Sequence, residues 1–279
     1  MDFKEVVGWR RSIRYFQPWR PVEREKIQTI LETARLIPKP MGIDFVRSLV
    51  VYRDDLSQED LEALKTPTTT AQLDMAPVYI FWFADMEALS RGIDGSNLKA
   101  MVETDVLPAS HGWSEEYVDD VIVPQVYQRI LDDPDRTSLT PPGRGGDQDG
   151  PTYSRALLNL ARSAIGMAHA HALLSAFDEG LGTQLTALSA SRIMDIPSHW
   201  VPSSGMLVGY HAESWEAGGQ RPREPFEDDF YEGRYGVPFY RDQQVVEELK
   251  EEGMIQPEAP LSWRREEVRG LARMFGLPE

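Results

Sequence analysis

Apolar positions recur at helical spacing from the first residues, where Phe3, Val6 and Val7 follow an Asp2/Glu5 pair of the kind that caps a helix start. A second helix is predicted with Ile27, Ile30, Leu31 and Ala34 on one face, opened by Pro21 and closed by Pro38 and Pro40. Residues 45–52 are β-rich around a Leu-Val-Val centre and predict a strand. Ser57 caps a short polar helix to about Lys65. Residues 77–84 (PVYIFWFA) are so uniformly apolar that they predict a strand buried on both faces.

The pattern loosens over residues 85–152. Ser114 caps a predicted helix carrying Tyr117, Val121, Ile122, Val126 and Ile130, and Pro124 inside it predicts a kink. Residues 133–151 are dense in Pro, Gly and Asp and predict a long loop; its Gly-Arg-Gly-Gly lacks the flanking strand and helix of a phosphate-binding loop. Order returns at Ser154, where residues 154–178 are apolar around much of the circumference and rich in alanine. That composition predicts a buried helix able to approach another closely, with Gly180 as its left-handed cap. A short helix near residues 191–196 and a third core strand at 204–210 follow, and a last amphipathic segment, capped by Ser262, runs to Phe275. Helices and strands do not alternate in βαβ units and no repeat is visible, so the expected class is α+β.

Composition narrows the partners. The chain has 279 residues, with 29 basic against 45 acidic side chains and a net charge of −16, which argues against nucleic acid or an anionic membrane. There is no cysteine, which excludes disulfides and thiolate chemistry. The polar start MDFKEVV and the lack of a long apolar run lead to the expectation of a soluble, cytoplasmic protein.

Against that acidic background, WRRSIRYF at residues 9–16 places Arg10, Arg11, Ser12 and Arg14 within five residues. Guanidinium forks match phosphate oxygens two at a time, so one reading is a phosphate site. The other is cations at a helix C-terminus facing water. Arg221 and Arg223, followed by Pro225, form a second basic knot far downstream. His169 and His171, two apart on a helix, point in different directions, and no metal site is expected.

Taken in order, RRSIR, a proline-bounded helix and strand, Ala76-Pro77 opening a buried strand, a variable insertion, a long helix ending GLG, a strand ending Val-Gly-Tyr and then RPREP resemble the FMN-dependent nitroreductase family over residues 3–240. The resemblance implies a central mixed or antiparallel sheet flanked by helices, and a homodimer built around the long helix with FMN at the subunit interface. It places Arg10, Arg11, Ser12 and Arg14 on the FMN phosphate and ribityl chain, with Arg221 and Arg223 converging on the same phosphate. Pro38, Lys39, Pro40 and Met41 would reach the flavin from the partner subunit. Thr186, Ala187 and Leu188 would present backbone amides to the ring, and Thr69 and Gln72 polar contacts. Where many relatives carry Asn-x-Gln-Pro-Trp, this chain has Gly42, Ile43, Asp44, Phe45 and Val46, so Asp44 becomes the acceptor available to the flavin N3–H.

The implied domain plan is residues 1–240 as the FMN-binding unit, an insertion at 86–152 covering the substrate, and an extension at 241–279 strapping the partner subunit. His111, Trp113 and Tyr117 would line the cover; a surface histidine and aromatics packing the insertion are the plainer reading. The implied function is hydride transfer from NAD(P)H through FMN to a nitroaromatic, quinone or activated alkene, with no catalytic side chain required. An FMN oxidase or dehydrogenase of one metabolite, and a non-catalytic flavin-binding protein, are the alternatives.

Overall fold

The strand expected to be buried on both faces is one: Val78–Asp85 is buried at every position in the structure, a computed structural model that describes residues 2–138 and 152–278. Alternation then assigns the faces. Val78, Ile80, Trp82 and Ala84 join one apolar cluster, and Tyr79, Phe81 and Phe83 join another on the opposite side. Each large side chain buried here contributes about 1.5–3 kcal/mol relative to exposure.

In chain order, α1 is Phe3–Trp9, with Asp2 and Glu5 forming the expected capping box. The second helix, α2 (Arg24–Arg35), starts three residues after Pro21, at a Glu23 cap position, because the proline lies in the extended approach rather than in the first turn. Strand β1 is Val46–Tyr52, α3 is Gln58–Leu64 with Ser57 accepting from the Asp60 amide, α4 is Ala71–Met75, and the central strand is β2.

The insertion folds as α5 (Ala88–Arg91), α6 (Ser96–Glu103) and α7 (Glu115–Tyr117), a π-helical stretch Val118–Tyr127, and α8 (Gln128–Leu131). Pro124 therefore sits in a widened helix: the missing N–H and the ring are absorbed by i to i+5 spacing. Strands β3 (Arg136–Ser138) and β4 (Thr152–Ser154) pair antiparallel, so residues 136–138 of the predicted loop are paired, while its Gly-Arg-Gly-Gly lies outside the described residues. The long helix is α9, Arg155–Asp178, capped by Ser154.

After Gly180, which takes a positive φ, comes β5 (Gly182–Thr186), a strand that sequence patterning passes over. The predicted short helix is a single 3₁₀ turn at Ala190–Arg192, and β6 is longer than expected at Trp200–Gly209. The chain continues through α10 (Phe226–Asp229), α11 (Gln243–Glu251) and α12 (Arg264–Phe275). Trp263, not Ser262, occupies the residue before α12, and it makes no side-chain cap.

The four strands form one antiparallel sheet in the order β1-β2-β6-β5. Helices α2 and α9 cover one face; Ile13, Phe16, Leu64, Leu73 and Leu188 cover the other. The α+β class is as expected. The extension packs on the rest of the chain: Leu271 and Ala272 are buried, and Phe275 stacks on Tyr15 and Trp19 at centroid distances of 6.2 and 6.1 Å. Cover for Leu271 and Phe275 thus comes from within the chain, while Met274 stays exposed.

Candidate functional site: two basic knots in one pocket

Past α1 the chain turns extended and binds the edge of β5, the Ile13 amide donating to the Thr183 carbonyl at 2.9 Å. Ile13 is fully buried, and Gly182 lets it in: a Cβ on that glycine would lie 2.7 Å from the Ile13 side chain. One buried residue thus pins RRSIR, while Arg10, Arg11, Ser12 and Arg14 line a cavity of about 290 Å³. Its other side is residues 217–223, including Arg221 and Arg223. The two basic knots, some two hundred residues apart in the chain, face each other.

The cavity is electrostatically incomplete. None of its five arginines forms an ion pair among the described residues. Burial, with Arg223 nearby, pushes the Arg10 guanidinium below its ordinary value. Burial and then Arg10 and Arg223 do the same to Arg11, opposed by Glu216. Arg11 donates to the carbonyls of Gly8 and Arg10, yet its Nε is buried with no partner. Arg14 reaches the Ser12 carbonyl at 3.0 Å. Repelling cations around an orphaned donor are what an anion of two charges would relieve.

Behind this wall lies a residue that sequence reading missed. Glu213 is 2% exposed, and its Oε1 accepts the amides of Arg14 and of Tyr15, the latter at 3.0 Å. Its Oε2 pairs with Arg264 of α12, which also meets Glu267 at 2.6 Å. Nothing local in HAESWEAGG distinguishes Glu213 from the many surface glutamates; only the tertiary pairing does.

The remaining predicted residues sit elsewhere. Thr69 is buried and its hydroxyl bonds that of Thr186, so the loop before α4 and the end of β5 meet. Gln72 turns to its own loop, accepting from the Thr70 amide at 3.0 Å. Ala187 is exposed, whereas the Leu188 side chain is core, packed where Gly205 leaves room. Pro38, Lys39, Pro40 and Met41 form a turn that does not line the arginine cavity. Met41 takes a left-handed φ of 57°, and its carbonyl accepts from Tyr127 at 2.8 Å. Asp44 is paired through Oδ1 with Lys39 at 2.6 Å. Lys39 and Asp44 instead rim a second cavity of about 320 Å³ with Trp82 and Ala164 among its lining.

His169 Nε2 meets the Ser204 hydroxyl at 2.8 Å with its ring edge-on to Trp82, and burial pushes its pKa down to about 4. His171 bonds the Thr33 carbonyl from a different side of α9. Among the described residues no cluster of potential metal ligands occurs, and no helix is long and apolar enough to cross a membrane. Trp113 and Tyr117 pack edge to face at 5.6 Å within the insertion, and His111 is exposed.

Comparison with known proteins agrees with the sequence resemblance. The Nitroreductase family model matches residues 7–106, the stretch containing RRSIR and β2. Proteins of Staphylococcus aureus assigned as NAD(P)H nitroreductases are 30% identical over 87 residues, 31% of this chain and 38% of theirs. The fold is shared more widely. A structure from Exiguobacterium sibiricum, assigned as a nitroreductase and solved in complex with FMN, is 23% identical and covers 82% of this chain and 96% of its own, with a TM-score of 0.57. One from Staphylococcus epidermidis, assigned as an NAD(P)H:FMN oxidoreductase, is 18% identical over 84% of this chain and 96% of its own, with a TM-score of 0.59. The chain therefore has the nitroreductase fold and a nitroreductase-family match in its N-terminal third.

Proposed function

We propose that the protein is an FMN-dependent oxidoreductase that takes hydride from NAD(P)H and delivers it to a nitroaromatic, quinone or activated alkene. The observation that carries this is the convergence of Arg10, Arg11, Arg14, Arg221 and Arg223 on one cavity with no carboxylate of their own. FMN bound there would supply the hydride acceptance and donation; the chain supplies position. The five guanidiniums and the Ser12 hydroxyl hold the phosphate, and the orphaned Arg11 Nε gains its acceptor. Backbone amides at residues 186–188, from the end of β5 that meets Thr69 onward, would serve the ring. The relatives' names support FMN and a reduced nicotinamide as cofactor and donor.

The turn at Pro40–Gly42 lies away from its own arginine cavity, which favours a homodimer in which each subunit lends this turn to its partner's flavin. The exposed side of α9, where a Cβ on Gly166 meets nothing within 4 Å, is suited to such an interface.

The test is the visible spectrum of the purified protein, before and after anaerobic NADH or NADPH. A bound flavin that bleaches is the expected result. A bound flavin that does not bleach would redirect the assignment to an oxidase or a flavin-binding protein, and a protein that neither holds nor takes up FMN would end it.

A further inference from the structure

Beyond its local turn bonds, Ala217 to Ser214 and Gly219 to Glu216, the wall of the arginine cavity formed by residues 217–220 is held by the C-terminal extension. Gln220 donates to the Pro257 carbonyl at 2.9 Å and accepts from the Ala259 amide at 2.8 Å. Its side chain accepts from the Gln256 amide at 3.1 Å and donates to the Met254 carbonyl at 3.2 Å. Leu261 donates to the Gly218 carbonyl at 2.8 Å. Ala217, Gly218 and Gly219 carry φ values of 45°, 92° and 119°, three consecutive left-handed residues. The two glycines are needed for contact as well as conformation, since a Cβ on Gly218 would fall 2.7 Å from the Arg264 stem and one on Gly219 2.7 Å from the Ala259 backbone. On the facing side, Gly8 of α1 is pressed against Met254.

The same extension governs the charge behind the cavity. Glu213 is buried and accepts the amide of Arg14, which lines the cavity, so an uncompensated carboxylate there would repel an incoming anion. Its oxygens are instead occupied by two amides of the RRSIRY stretch and by Arg264. Arg264 is held in turn by Glu267, whose other oxygen accepts from the Ser214 amide.

We propose that the C-terminal extension is a positioning element of its own subunit's anion site, in which Arg264 cancels the charge of Glu213 so that Glu213 orients the Arg14 and Tyr15 backbone without competing for the pocket's arginines. The inference rests on reading the cavity as an anion site. It does not require the anion to be FMN.

The experiment is a two-residue cycle in the full chain, measuring Kd for FMN and for riboflavin by flavin fluorescence, and stabilisation by inorganic phosphate from the thermal midpoint. Arg264→Met keeps the aliphatic stem on Gly218 and exposes the Glu213 charge. It should weaken FMN on the order of tenfold and leave riboflavin, which lacks the phosphate, within about twofold. Glu213→Gln/Arg264→Met, which restores the parent's net charge over residues 213, 264 and 267 and can still accept the two amides, should recover FMN to within about threefold of the parent. Unchanged FMN affinity in Arg264→Met, equal losses for both flavins, or a double variant worse than the single would overturn the proposal and leave the network as packing alone. If the parent binds no FMN, the phosphate arm decides. Lower phosphate stabilisation in Arg264→Met that Glu213→Gln restores supports the clamp while the flavin assignment falls; no such pattern overturns the clamp too.

Discussion

At the scale of single residues, the site separates side chains that hold charge from those that hold shape. Arg14 and Arg223 are exposed enough to meet a ligand and have no carboxylate partner among the described residues. Charge-assisted contacts of this kind contribute roughly 1.5–3 kcal/mol, so Arg14→Ala or Arg223→Ala should raise the Kd for FMN by about 10- to 150-fold. Fluorescence titration checks this, and unchanged flavin content in both would remove the phosphate assignment. His169 gives a second expectation, on stability. Its folded pKa of about 4 lies below the ordinary 6.5, so between those values the unfolded chain binds more protons than the folded one. Stability should therefore be complete above pH 6.5 and fall as the pH drops towards 4, with a slope of at most about 1.4 kcal/mol per pH unit, reduced because the imidazole is partly exposed. Denaturant titrations of the parent and His169→Gln across this window should show a shallower slope in the variant; equal slopes would contradict the assignment.

At the scale of elements, legibility followed how local each signal was. Strand β2 and helix α9 were readable because a run of apolar residues or a helical period is written in the segment itself. Strand β5 was not: Gly182–Thr186 is short and polar, and it exists because β6 offers an edge on one side and Ser12 pairs on the other. Likewise the Trp200 end of β6 is interrupted by Pro202 and two serines and is drawn into the sheet by Phe83, Ala84 and Asp85 past a bulge. The π-helical stretch shows the same limit, since Pro124 predicts a disturbance but not its form. For α9, the outward Gly166 supports one expectation. Gly166→Arg has room in the isolated subunit, and should leave folding intact while converting a dimer to monomers with loss of bound flavin. Light scattering with the flavin spectrum checks it, and an unaltered dimer would move the interface away from this face.

At the scale of the whole molecule, a body of charge −16 surrounds a cationic cavity, so an anionic ligand meets repulsion at long range and attraction at short range. Raising ionic strength from 0.01 to 0.15 M shortens the screening length from about 30 to about 8 Å, which removes the first more than the second. The association rate of FMN should therefore rise with salt, as stopped-flow fluorescence can measure; a fall would mean that the local field already dominates at a distance. The sequence showed both basic knots and, through the family resemblance, their convergence. It could not show that Glu213 and Arg264 stand behind them, because two of many charged residues become special only once the fold brings them together.

The arginine cavity and its supports run from Val7 at one extreme to Glu267 at the other. During synthesis, at roughly 5–20 residues per second, the sheet and α9 can condense well before those partners exist. The wall at 217–220 has only its local turn bonds, Ala217 to Ser214 and Gly219 to Glu216, until residues 254–261 have been made, and Glu213 no counter-charge until Arg264 has. Closing contacts that far apart in the chain is the slowest part of folding by loop entropy. The chain is therefore built core first and arginine cavity last, and filling that cavity is a step that follows translation rather than one that guides it.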